Sequence, residues 1–207
     1  MGIFDFVLST LDITSSNEKF DAFSMGSEQI TETVLDSEKF IKRFKNDIVY
    51  FDSNIYMEKT FTPLFEYMIS NPKSIKQLEF KLIMPEIQYQ EIYNLKKSEN
   101  DTKAYGARRA FYNIEKLQEL ELLVIEGLEV SSNKKAYADP EFIKCILNHI
   151  QNHENVIFLT EDRDLKIRLR NIIKKDGLDP TYLKIYSEEN IDKYTRKVTL
   201  FGMTPKI

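Results

Sequence analysis

Short, largely apolar runs recur along this chain between segments of helical pattern: IVYF at 48–51, FKLIM at 80–84, LELLVIE at 120–126, VIFLT at 156–160 and YLKIYS at 182–187. A strand apolar on successive residues has both faces covered, as in a parallel sheet flanked by helices. The intervening TPLFEYMIS, EIQYQEIYNLKK, AYGARRAFYNIEKLQEL, DPEFIKCILNHIQNH and RDLKIRLRNIIKK carry helical spacing, with Pro and Gly at several of their ends. Strand and helix in alternation predict an α/β fold of three layers: a central parallel sheet of about five strands with helices on both faces. KVTLF at 197–201 is a candidate sixth strand. A chain of 207 residues is long enough for one substantial core.

Residues 1–46 read differently, being Ser/Thr-rich and weakly periodic, and are expected to form an N-terminal extension with short helices. The best of these is DSEKFIKRF, with Asp36 or Ser37 as N-cap and Phe40, Ile41 and Phe44 on one face. Residues 47–190 form the expected α/β domain, and 191–207 a C-terminal strand or tail.

A single cysteine, Cys145, excludes an internal disulfide framework and a cysteine zinc cluster, and suits a reducing compartment. No apolar run approaches the roughly 20 residues that span a bilayer. The opening MGIFDFVLSTLD lacks the basic flank of a signal peptide, and Phe6 stands where a myristoylation signal wants Ser or Thr. The expectation is a cytoplasmic protein without a membrane partner. A net charge of -4 argues against nucleic-acid affinity over the whole surface, but leaves room for a local basic strip.

In parallel sheets the working site lies beyond the carboxyl ends of the strands, where strand order reverses. Acids stand at those places. Asp52 follows IVYF; Glu91 falls between Ile87 and Leu95 at four-residue spacing; Asp139 opens the helix whose inward face is Phe142, Ile143, Ile146, Leu147 and Ile150; Thr160, Asp162 and Asp164 follow the fourth run. Singly, Asp52 and Asp139 read as helix caps and Glu91 as a stripe-edge acid reaching to solvent. Together they form a set of like charges that is unstable without cations. Oxygen ligands with no cysteine cluster select a hard cation, Mg²⁺ or Mn²⁺. His149 and His153 share a helix at four-residue spacing without a third ligand motif, and read as partners of the helix C-terminus.

Four blocks in order resemble the PIN domain, a small metal-dependent ribonuclease fold related to the flap-type nucleases: IVYFDSN, IMPEIQYQEIYNLKK, ADPEFIKCIL and VIFLTEDRDL. The last is the most specific, being similar to the family's Thr-x-Asp-x-x-Leu signature. The resemblance covers roughly residues 47–190. It implies that Asp52, Glu91, Asp139 and Asp162 are the metal-binding catalytic acids, with Asp164 an additional ligand. Asn54, Thr160 and Ser53 would be their orienting neighbours. Glu86 competes for the second place, but directly follows Pro85 and suits a first-turn dipole partner.

Nucleic acid would approach along Arg163, Lys166, Arg170 and Lys174, opposite the apolar stripe of Leu165, Leu169, Ile172 and Ile173. A second strip is Lys96, Lys97, Arg108 and Arg109, with Tyr105, Phe111 and Tyr112 nearby for base stacking. Solvated helix face and core packing are the plain alternatives for these two patterns. The function implied is a Mg²⁺- or Mn²⁺-dependent endoribonuclease that cuts RNA with a metal-activated water, in the role of a toxin or defence component. An antitoxin or other protein partner and a homodimer are open. Two rival readings are a catalytically silent module that binds RNA or protein, and a structure-specific DNA nuclease.

Overall fold

The computed structural model describes residues 25–127 and 138–203. Along the chain the elements are β1 (Met25–Leu35), α1 (Ser37–Ile41), β2 (Ile48–Phe51), α2 (Ser53–Met57), α3 (Thr62–Ser70), α4 (Pro72–Lys76), β3 (Lys81–Pro85) and α5 (Glu86–Leu95). There follow α6 (Asp101–Glu119), β4 (Leu123–Glu126), α7 (Ala138–Gln151), β5 (Val156–Leu159), α8 (Arg163–Lys175), β6 (Leu183–Tyr186) and β7 (Lys193–Met203). The chain divides into a compact unit, Thr33–Arg196, and a smaller one of Met1–Glu32 with Lys197–Ile207.

The larger unit is built on a five-stranded parallel sheet in the order β4-β3-β2-β5-β6. Every residue of β2 and β5 is buried, as their unbroken apolar sequences require. Period-two alternation sends Val49 and Phe51 to one face and Ile48 and Tyr50 to the other. The first face is covered by side chains of α1 to α6, the second by those of α7 and α8. This is the three-layer α/β fold expected, with its parallel sheet of five strands.

Phe40, Ile41 and Phe44 share one buried face as the spacing predicts, and they join the core that holds Phe51. The Phe44 ring lies 6.0 Å from that of Phe51. Burial of each such side chain contributes about 1.5–3 kcal/mol, which ties the segment after Asp36 firmly into the larger unit.

Two expectations change. Residues 25–35 form a strand where short helices were expected, in keeping with the β-branched Ile30, Thr31, Thr33 and Val34. KVTLF lies within β7, which pairs with β1 in a separate two-stranded sheet rather than adding a sixth strand to the parallel one. Residues 1–24, where other short helices were expected, lie outside the described residues. Among the described residues no helix is long and apolar enough to cross a membrane.

Candidate functional site

Strand order reverses at β2. The chain runs outward from β2 through β3 to β4, then returns to place β5 on the other side of β2. The crevice beyond the carboxyl ends of β2 and β5 is therefore the switch point of the sheet. Asp52 and Thr160 are the first residues past those two strands. The ladder continues one step beyond β2, where the Asp52 amide donates to the Leu159 carbonyl at 2.9 Å.

The Asp52 carboxylate is held by neutral donors. Its Oδ1 accepts from the Ser53 amide at 2.7 Å and its Oδ2 from the Thr160 hydroxyl at 2.8 Å. The Thr160 side chain is fully buried, and its oxygen also accepts from the Asp162 amide at 3.0 Å. One hydroxyl thus fixes the end of β2 against the start of α8. Burial lifts the Asp52 carboxyl from the ordinary range to about 6. The charges of Glu91 and Asp162 add to that rise, while the bonds from Thr160 and Ser53 oppose it.

Ser53 links a second acid, its hydroxyl donating to Glu91 Oε2 at 2.9 Å. Glu91 itself lies at the exposed rim of α5, not on the inward face that its spacing suggested. Gln88 takes the interior position, 1% exposed, and donates to the Phe51 carbonyl at 2.6 Å. The stripe runs through Gln88 and Ile92, and a polar residue at its centre disguised its register. Asp162 caps α8, accepting from the Leu165 amide at 3.0 Å.

The remaining acid is drawn elsewhere. Asp139 Oδ2 is ion-paired with the Arg168 guanidinium of α8. Asp164 is exposed one residue into α8, and Asn54 is exposed with no orienting bond among the described residues, where Ser53 and Thr160 do the tethering at this edge. Glu86 is exposed in the first turn of α5. His149 binds Glu154 at 2.7 Å, while the His153 ring faces Tyr182, so the two do not share a ligand. Among the described residues no group of three or more His, Cys, Asp or Glu side chains converges closely enough to hold a metal ion.

The donor chemistry nevertheless fits a hard cation. Asp52, Glu91 and Asp162 offer carboxylate oxygens only, and their mutual charge reaches Asp52. Mg²⁺ keeps several of its own waters and needs few protein oxygens. A further acid pair borders this edge: the Glu188 amide donates to Glu161 Oε1 at 2.5 Å. Glu58 beside them has its carboxyl raised by burial first and by the charges of Glu161 and Glu188 next.

Of the basic residues, Arg163, Arg170 and Lys174 are exposed on α8 and Lys166 is half-buried. Arg108 is exposed on α6, whereas the Arg109 guanidinium donates to the Met57 carbonyl at the end of α2. Arg168, Gln88 and Glu58 were not foreseen. A cation on the exposed side of α8 and a glutamine four residues before Ile92 were the signals available for two of them; nothing marked Glu58.

A family model described as the PIN domain matches residues 66–171, just over half of the 207 residues. The chain belongs to the PIN-domain family. Members of that family are generally nucleases and typically use divalent metals. The matched stretch contains Glu91, Asp139, Asp162 and Asp164, and Asp52 and Ser53 lie before it. Among solved structures, "a domain of a functionally unknown protein from Methanocaldococcus jannaschii DSM 2661" is similar to this PIN-domain chain. Its TM-score is 0.42 and its identity 17%, over 68% of this chain and 91% of that one. No curated protein matches.

Proposed function

We propose that this PIN-domain protein is a Mg²⁺- or Mn²⁺-dependent endoribonuclease whose cation site is built on Asp52, Glu91 and Asp162. The observation that carries the reading is the Asp52 carboxylate: half-buried at the switch point, held by neutral donors, and without a countercharge among the described residues. When bound, the cation would supply Lewis-acid activation of a water and neutralise charge on the phosphate. The chain's own residues do the rest. Thr160 fixes Asp52 and the start of α8 together, and Ser53 sets the spacing between Asp52 and Glu91. The exposed Arg163, with Lys166 beside it, would meet phosphates just past Asp162. A role as a toxin or defence component with a protein partner belongs to the same proposal.

A second reading, a PIN module that binds without cutting, is favoured by one observation, the Asp139–Arg168 pair that neutralises the fourth acid. Cleavage of an RNA pool with Mn²⁺ and with EDTA separates the two. The proposal expects Mn²⁺-dependent cutting, reduced about 10²–10³-fold in Asp52→Asn and in Asp162→Asn. Absence of cutting in the parent chain, or equal cutting in the variants, refutes it.

A further inference from the structure

The parallel sheet ends at β6, and no described strand pairs with the outer edge of that strand. Beside it, against the last turns of α8, lies a cavity of about 580 Å³, within the size range of ligand pockets. Ile173, Leu178, Leu183 and Ile185 supply apolar walls, and the charged residues that line it, Arg170 and Lys174, are both cations. The cavity is remote from the acid edge. Leu183 pairs with Val156, the first residue of β5, so the groove lies toward the amino ends of the strands. Along α8, Lys174 is roughly 18 Å from the Asp162 cap.

The walls follow from the local sequence. Gly177, at a φ of +66°, ends α8 in a left-handed turn, and the Leu178 amide returns to the Ile173 carbonyl at 3.0 Å. That turn folds Leu178 back beside Ile173. Alternation along β6 sends Lys184 and Tyr186 to the other face of the sheet. There Lys184 pairs with Asp47 at 3.0 Å, and the Tyr186 ring lies 5.5 Å from that of Phe40. Leu183 and Ile185 are left facing α8.

Backbone, cavity and charge all suit an extended peptide. The Thr160 amide donates to the Tyr186 carbonyl at 3.0 Å, so Tyr186 and Lys184 direct their peptide groups at β5. Ile185, between them, directs its amide and carbonyl outward, where no described residue takes them. An edge of this kind pairs with an added strand. Alternate side chains of that strand would lie over the cavity, as Leu183 and Ile185 do. Arg170 and Lys174 are exposed one turn apart on one side of α8, and neither holds an ion pair among the described residues. Ile167, 54% exposed, precedes them on the same side and extends the apolar surface.

Other occupants fit less well. A second copy of this chain, paired edge to edge about a two-fold axis, would set the same cations against each other. A nucleic acid would meet the cations and leave the apolar cavity unfilled.

We infer that the β6 edge and its groove bind an extended acidic segment of a partner protein. A large apolar residue of the segment sits in the cavity, and acidic residues two positions to either side face Arg170 and Lys174. This site is separate from the acid edge and stands whether or not the chain cleaves RNA.

The probe is a fluorescein-labelled peptide of about seven residues, with a central Leu, an acid two positions to each side, and Ser and Thr elsewhere. The full chain is titrated into it and binding is read by anisotropy. Saturable binding is expected, and Arg170→Glu with Lys174→Glu should weaken it about tenfold or more. A peptide with Lys in place of its acids should prefer that variant to the parent. Ser in place of the central Leu should weaken binding about tenfold, and N-methyl groups on the amides that face β6 should abolish it.

Both substituted residues are exposed, so the variant keeps the core intact. Absence of saturable binding by the parent overturns the inference, as does binding indifferent to the two glutamates or to N-methylation. An unpaired RNA that displaces the peptide and loses the same affinity in the variant also overturns it, by assigning Arg170 and Lys174 to nucleic acid.

Discussion

Asp52 and Asp139 were expected to serve one cation site, yet the protein holds them by opposite means. Asp52 is gripped by a hydroxyl and an amide, which fix its position, and no cation among the described residues cancels its charge. Asp139 is gripped by a guanidinium, which cancels its charge. Neutral donors keep a carboxylate ready for a cation, whereas an ion pair satisfies it. The cost of the first arrangement is visible in the Asp52 carboxyl, raised to about 6 chiefly by burial. The second costs little, since both partners of the Asp139–Arg168 pair are well exposed, at 38% and 46%.

The largest effect on this contrast should come from Thr160→Val, which keeps the shape of the side chain and removes the hydroxyl. It would free Asp52 Oδ2 and leave the Asp162 amide without its partner. Loss of a neighbour that orients a metal-binding acid typically reduces activity or metal affinity about 10–100-fold. An unpaired polar group at this depth costs about 1–3 kcal/mol of stability. Initial rates with Mn²⁺ and a chemical denaturation curve check both.

A smaller effect concerns pH. The folded Asp52 carboxyl titrates near 6, above its ordinary 3.8, so its ionised form opposes folding. That opposition is fully present above pH 6 and fades as pH falls from about 6 to about 4. Metal-free Asp52→Asn should therefore melt higher than the parent at pH 8, with the difference closing by pH 4. Thermal melts in EDTA across that range decide it, and a constant difference would mean that the carboxylate is not under this strain.

How much of this was legible in the sequence depends on how local each determinant is. The parallel sheet and its layers follow from runs such as IVYF and VIFLT, whose burial on both faces is written residue by residue. The pairing of Asp52 with Thr160 was inferable because both end such runs, although strand order had to bring β5 beside β2. Glu91 was placed one step too far inward, because Gln88 occupies the central position that a polar residue rarely takes. The Asp139–Arg168 pair joins residues 29 apart in sequence on two helices, and no local pattern specifies that contact. Strand β1 is not legible locally because its pairing partner, β7, lies far along the chain.

The smallest perturbation, Arg168→Gln, tests whether the fourth acid is withheld. It should change stability by no more than about 1 kcal/mol, and it should tighten Mn²⁺ binding severalfold by releasing Asp139. The decisive measurement is calorimetric titration of Mn²⁺ into the parent, Asp52→Asn and Arg168→Gln proteins. Measurable binding by the parent, none by Asp52→Asn and tighter binding by Arg168→Gln are expected. Mn²⁺ binding by Asp52→Asn equal to that of the parent would contradict it.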